Sequence, residues 1–464
     1  MSRSKWFYPF LIFIVFLTVF LTIILVGYSS LKKGEKELAA QNYGEASRLF
    51  QKAARFIPWR KDLWEQAAIS EYDLGNYSSV IDLLTRTSKL SETGWLVLGD
   101  SYFHLEDTQS AQTAYQNGLE HFDSPRLYEG LAAAFREQKD WEAEKDALEN
   151  QIRLGAEDAF AHYRLGLLYS LLDSNQAPAE LANASSLNPE ISSAVQTLTS
   201  ALNLASTQSD VSARMVTIGR ALGLVQEWDL AEAAFAKAVQ ADAENAEAWA
   251  WLGEAKQQIG QDGAGELDRA LSIDRTSPIV RGLRALYWNR QEKYDQMLAE
   301  YLLAVEYEPE NPIWRVSLAD AYTKDGDLVS ALAAYQTATE LAPTDAAYWR
   351  LLANFCSNNN VHVEDIGLPA AVKAAELAPG DPNVMDALGY AYYVSGRYAN
   401  AGKVLTDLIS NQPDYFPAYI HLALTNLAQG DNSSAYNNLA FVRDNDGSGE
   451  FRELASELLV RYFP

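Results

Sequence analysis

Residues 312–345 read PIWRVSLADAYTKDGDLVSALAAYQTATELAPTD, and residues 382–415 read PNVMDALGYAYYVSGRYANAGKVLTDLISNQPDY. Aligned end to end, the first places Leu318, Ala319, Tyr322, Ala331, Tyr335, Ala338 and Pro343 where the second places Leu388, Gly389, Tyr392, Ala401, Leu405, Leu408 and Pro413. A period of about 34 residues with this content is the signature of stacked helical hairpins. Large residues at the fourth, seventh and eleventh positions share one face of a first helix, and those at the twenty-fourth and twenty-seventh share one face of a second. The eighth position must be small, because there the helices cross and only Gly or Ala lets the backbones approach.

The same register runs outward in both directions. Its eighth position is Gly34, Ala68, Gly99, Ala132, Gly166, Gly219, Gly253, Ala285, Ala319, Ala353, Gly389 and Ala423. Pro58, Pro189, Pro309, Pro343, Pro379 and Pro413 close second helices, since proline biases the preceding residue away from helix. About twelve units follow, beginning near residues 27, 61, 92, 125, 159, 212, 246, 278, 312, 346, 382 and 416. Several depart from the pattern. Unit 27–60 has Ser30 in place of an aromatic, unit 246–277 has a shortened second helix, and unit 346–381 has Cys356 for the eleventh-position Tyr and extra turn residues at Asn358–Val363.

The pattern resembles the tetratricopeptide repeat family, W-x2-L-G-x2-Y followed by A-x3-F and a closing P. The fold class expected is all-α, a right-handed α-solenoid of helix-turn-helix repeats behind an N-terminal transmembrane helix. The domains expected are a tail at 1–5, the membrane helix at 6–28, a first array at 29–190, an irregular helical connector at 191–211, a second array at 212–449 and a capping helix at 450–464. Ala194, Leu198, Leu202 and Leu204 are expected to form the apolar side of the connector, with Ser206–Asp210 as loop and cap.

Trp6–Tyr28 is 23 residues without a charge, between Arg3 and Lys5 on one side and Lys32 and Lys33 on the other. At about 1.5 Å per residue it reaches across a bilayer core of about 30 Å. A cleaved signal peptide is the rival reading, but the apolar run exceeds the usual ~7–15 residues, so retention and contact with the lipid bilayer through residues 6–28 are expected. The positively charged flanks nearly balance. An acid-free tail ahead of the segment favours an inside N-terminus and exported repeats.

With 37 basic and 62 acidic residues the formal charge is −25, which argues against nucleic acid and against anionic lipid surfaces as principal partners. Its bland reading is solubility. The single cysteine, Cys356, excludes an intrachain disulfide and a cysteine-rich metal site, and its core register points to a buried, inert thiol. No nucleotide loop, dinucleotide fingerprint or H-E-x-x-H motif is present, and the five histidines are scattered through different units. Asp444–Glu450 resembles part of a calcium loop, yet no register supplies both the first Asp and the closing Glu, so a turn is expected. No catalytic residue, metal site or cofactor is expected.

What the resemblance implies is a partner surface on the first helices, at positions two, five, nine, twelve and thirteen. In early units these are polar: Asp62, Glu65, Tyr72, Asp100, His104, Arg126, Glu129, Arg136 and Glu137. In the last two they are Asp386, Tyr390, Tyr393, Val394, Ile420, Leu424 and Leu427, an apolar and aromatic lining suited to an extended or helical peptide, unless the cap helix folds back over it. Phe160, Tyr163, Leu167 and Leu171 form a weaker second patch. Arg350 and Asn354 begin a carboxylate clamp that Asn383 and Ala387 fail to complete. The function expected is a membrane-tethered, non-enzymatic scaffold that binds a protein or peptide in cell-envelope assembly. Alternative to it is a cytoplasm-facing, membrane-anchored regulator of an envelope biosynthetic pathway, whose relatives end in a metal-binding module with paired cysteines that this chain lacks.

Overall fold

The computed structural model describes residues 7–87, 89–155, 157–172 and 175–464. The tail at 1–5 and Trp6, with Arg3 and Lys5, lie outside the described residues. By its internal contacts the chain divides into two compact units, 1–234 and 235–464. Among the described residues every regular element is helical.

The first unit holds α1 (Phe7–Ala39), α2 (Tyr43–Phe56), α3 (Asp62–Tyr72), α4 (Tyr77–Leu84), α5 (Glu92–His104) and α6 (Thr108–Leu119). It continues with α7 (Pro125–Glu137), α8 (Trp141–Arg153), α9 (Ala159–Leu171), α10 (Ala177–Leu187), α11 (Ser192–Ser206) and α12 (Val211–Leu224). The boundary falls inside α13 (Trp228–Ala241). The second unit holds α14 (Ala246–Gln258), α15 (Ala264–Ile273), α16 (Pro278–Arg290), α17 (Tyr294–Tyr307), α18 (Pro312–Asp325) and α19 (Leu328–Leu341). It ends with α20 (Ala346–Asn359), α21 (Leu368–Leu377), α22 (Pro382–Val394), α23 (Tyr398–Asn411), α24 (Phe416–Gln429), α25 (Asn432–Asn445) and α26 (Arg452–Tyr462).

Each unit is an α-solenoid. Successive helices pair as antiparallel hairpins, and the first helix of a hairpin also packs on the first helix of the next, as α22 does on α20 and α24. Several of the turns are built alike. A residue with positive φ, such as Glu106 or Lys139, precedes an Asp whose carboxylate caps the second helix: Asp107 accepts from Ser110 N at 3.1 Å and Asp140 from Ala143 N at 3.2 Å.

The small eighth-position glycines lie directly beneath large side chains of the second helix. A Cβ added at Gly99 would stand 2.3 Å from the Tyr115 ring, and one at Gly389 2.5 Å from Leu405. In the shortened hairpin α14–α15 the approach is backbone to backbone, and a Cβ at Gly263 would fall 2.0 Å from the carbonyl oxygen of Gly253. Side chains from both helices then close over these crossings; Phe50, Leu63, Leu127, Leu168, Phe235, Leu267 and Leu405 are each at most 1% exposed.

Three features depart from the expected pattern. First, α1 runs without a break from the apolar segment into the first repeat, with no proline between Tyr28 and Ala39 to interrupt it. Second, α11 buries Leu198 and Ala205, whereas Leu204, assigned above to its apolar side, is 57% exposed; the burying face steps by four and three from Leu198 through Leu202 to Ala205. Third, the extra residues of the α20–α21 turn wind Val363–Gly367 as a π-helix, which stacks Gly367 directly on Cys356.

A buried ion cluster lies where α7, α8 and α9 meet the end of α12 in the first unit. Glu144, fully buried, accepts from Arg136 Nε at 2.8 Å and from Arg164 Nε at 2.8 Å, and Arg164 reaches Glu227 at 3.0 Å. Burial holds Glu227 above the usual carboxylate range despite the adjacent Arg164. The Arg164–Glu227 contact joins α9 to the chain beyond α11, fastening two repeats across the inserted helix.

At the far end, the Asp444–Glu450 segment is a turn whose carboxylate faces backbone donors. Asp446 accepts from Ser448, Phe451 N at 2.7 Å and Arg452 N at 3.0 Å, bonds that hold its pKa at about 2 and fix the start of α26.

Two outcomes test this packing. Gly263→Ala forces the α14–α15 backbones apart and is expected to destabilise the second unit by about 1–3 kcal/mol, read as a lowered urea midpoint. Burial pushes the Cys356 thiol up to about 11, so a thiol reagent at pH 8 is expected to leave the folded chain unlabelled and to label it fully in denaturant.

Candidate functional site

The surface singled out in the last two complete repeats is built on α22 and α24, neighbours in the row of first helices. Both start on proline at the first turn, Pro382 after the capping Asp381 and Pro417 after Phe416. Helical spacing then sets Asp386, Tyr390, Tyr393 and Val394 on one side of α22, and the side chain of His421 reaches them from α24.

Four rings form a row. His421 stacks on Tyr390 with centroids 4.3 Å apart, Tyr390 lies 6.1 Å from Tyr393 at an interplanar angle of 19°, and Tyr393 lies 5.9 Å from Tyr398 at the start of α23. The imidazole is held by Asp386, whose Oδ1 is 2.8 Å from His421 Nδ1. Asp386 is thus 8% exposed and serves as the inner support of the row, not as part of its open face. Burial, followed by the Asp386 carboxylate, raises the pKa of Tyr390. Beside it Tyr415 donates to Asn383 Oδ1 at 3.1 Å, so that Asn383 is occupied between repeats.

The seven candidate residues are therefore not equivalent. Tyr390, Tyr393, Val394, Leu424 and Leu427 are half-buried. Ile420 is 4% exposed and belongs to a core with Leu439, Val442, Ala455 and Leu459, so the terminal helix α26 covers it, and Leu427 packs on the same cluster. After burial, the phenol of Tyr462 is the next cause of the raised pKa of Tyr393. The cap helix thus covers Ile420 and Leu427, while Tyr390, Val394 and Leu424 keep partial exposure.

The other expected surfaces are largely spent on packing. Asp100 accepts from Tyr115 at 2.6 Å and from Tyr72 at 3.3 Å, Glu65 accepts from Ser91 N at 3.0 Å, and Arg136 is bound to Glu144. A Tyr–Asp bond with the same spacing recurs between Tyr335 and Asp320. The signal was present in the sequence: an Asp at position nine facing a Tyr at position twenty-four of the same repeat. In the weaker patch, Leu167 and Leu171 are fully buried, while Phe160 is 56% exposed under the Arg136 guanidinium, 5.1 Å from its ring centroid. His421, which completes the ring row, was missed because position six of a repeat points toward the neighbouring first helix only once the stack is formed.

Three stretches of the chain match tetratricopeptide repeat family models, residues 291–355 one and residues 96–159 and 216–278 another. No curated protein matches the sequence. Among solved structures, yeast Tom70 is 14% identical with a TM-score of 0.42, covering 93% of this chain and 94% of its own. The Cut9–Hcn1 hetero-tetramer of the APC/C is 14% identical with a TM-score of 0.39, covering 96% and 99%. Pseudomonas aeruginosa pilF is 17% identical with a TM-score of 0.36, covering 46% and 98%. Matched at three separate stretches and built, among the described residues, from paired helices with small residues at the crossings, the chain carries tetratricopeptide repeats.

Proposed function

We propose that the protein is a membrane-tethered, non-enzymatic scaffold that holds a protein or peptide partner against α22 and α24, in cell-envelope assembly. The observation that carries the reading is the ring row His421–Tyr390–Tyr393–Tyr398, half-buried and fixed from beneath by Asp386. Rigid aromatic groups offer large contact area at low entropic cost, which is why they anchor interfaces. Val394 and Leu424 extend the apolar strip on either side, enough for alternate side chains of an extended segment or one face of a short helix.

The tether is supported by α1, in which Tyr8–Ala39 includes a stretch long and apolar enough to cross a membrane. Its apolar side chains are open on all sides, Phe16 being 71% and Leu25 67% exposed, as a lipid-facing helix requires and a core helix does not.

Two experiments bear on this. Tyr390→Ala combined with Leu424→Ala is expected to weaken capture of the partner from detergent extracts about thirtyfold, equivalent to about 2 kcal/mol at a hot spot, with helical content by circular dichroism unchanged; equal capture refutes the site. Reporter fusions after Pro464 are expected to be active only when the reporter functions outside the cytoplasm. Activity of cytoplasmic reporters alone removes the envelope assignment in favour of the cytoplasm-facing regulator.

A further inference from the structure

The charge of this chain is unevenly placed. Against −25 for the whole, residues 27–60, the first repeat, hold seven Lys and Arg and only three Glu. Those cations stand where the apolar segment ends. From Phe7 to Val26 is 20 residues, or about 30 Å of helix, the thickness of the hydrocarbon core. The headgroup layer adds about 5–8 Å on each side. Lys33 lies seven residues beyond Val26, about 10 Å further, and a lysine side chain reaches back toward the interface over several ångströms.

The second helix of the repeat descends to the same level. Gly27 packs on Phe56 and Ile57, and Gly34 packs on Phe50, so α2 runs antiparallel and in register with α1. That register puts Lys52 opposite Lys33 and Arg48 opposite Lys36. All four line a single cavity of about 600 Å³ between the helices, lined also by Leu25, Val26 and Ser30 and by Glu37, whose carboxylate accepts from Asn42 Nδ2 at 3.0 Å. Arg48 is neutralised by Glu45. Lys33 and Lys52 have no ion pair among the described residues, and Ser30, 4% exposed, has no hydrogen-bond partner for its hydroxyl among them. Below the cavity, level with Gly27, Tyr28 is 42% and Trp59 53% exposed, the placing of aromatic groups that settle at a membrane interface.

We propose that this cavity is a site for the headgroup of an anionic phospholipid, the phosphate lying between the Lys33 and Lys52 ammonium groups, with Tyr28 and Trp59 seated among the headgroups around it. The inference rests on the tether proposed above. Overall acidity keeps the rest of the solenoid off an anionic surface, whereas the first repeat is attracted to it.

Native mass spectrometry of the full chain in detergent, titrated with phosphatidylglycerol, phosphatidylcholine or inorganic phosphate, tests the site. Phosphatidylglycerol is expected to bind at least tenfold more tightly than phosphatidylcholine, and Lys33→Gln with Lys52→Gln is expected to bring the two within twofold, while Lys403→Gln, on α23, changes nothing. Equal affinity of the two lipids for the unaltered chain overturns the proposal, as does a preference that survives the double substitution. Displacement of phosphatidylglycerol by millimolar inorganic phosphate assigns the site to free phosphate and overturns the lipid. Alkaline carbonate extraction of the chain from vesicles separates the two readings: release removes the tether and this site together, whereas retention without headgroup preference removes the site alone.

Discussion

The first helix of a repeat carries nothing larger than a methyl at its eighth position, which leaves room for a large side chain of the second helix to lie across it. At Gly99, Gly166 and Gly389 the space a Cβ would need is already filled by a residue of the partner helix, Tyr115, Leu181 or Leu405. The large residues one turn away are then held at a fixed height, which lets α22 meet α24 with His421 and Tyr390 at stacking distance. Loosening a crossing by an ångström would separate rings whose centroids are 4.3 Å apart. The candidate surface is in this sense a consequence of the glycines and alanines beneath it.

The fold was legible because its determinants are local. Small residues at one register, proline after the second helix and Asp or Asn at the caps each act within a few residues, and together they mark the hairpins along the chain. The shortening of α15 and the extra turn after α20 could be read from the same register. Gly263 could not, because its need for a bare backbone arises only when Gly253 comes to lie against it.

The candidate surface was legible in part. Position in the repeat put Tyr390 and Tyr393 on α22, where they stack in one row with His421 of α24. It could not show that Asp386 would turn inward to His421, because a polar side chain chooses among partners supplied by other repeats. Nor could it show the burial of Ile420, which depends on Asp446 gathering the backbone at the head of α26 so that the last helix turns back over α24. Where a residue's fate is decided by chain that lies 20 or more positions away, periodicity alone does not reach it.

The uninterrupted course of α1 bears on mechanics. A helix of 33 residues that starts in the apolar segment and ends as one half of the first repeat has no joint between the two. Gly27 and Gly34, the positions where such a rod would most easily flex, are pinned against Ile57 and Phe50. Tilt or rotation of the apolar portion must therefore be delivered to the first hairpin as torque, as a shaft turns the gear fixed upon it; under the tether proposed above, a change in bilayer thickness becomes a change in the direction in which the first repeat points.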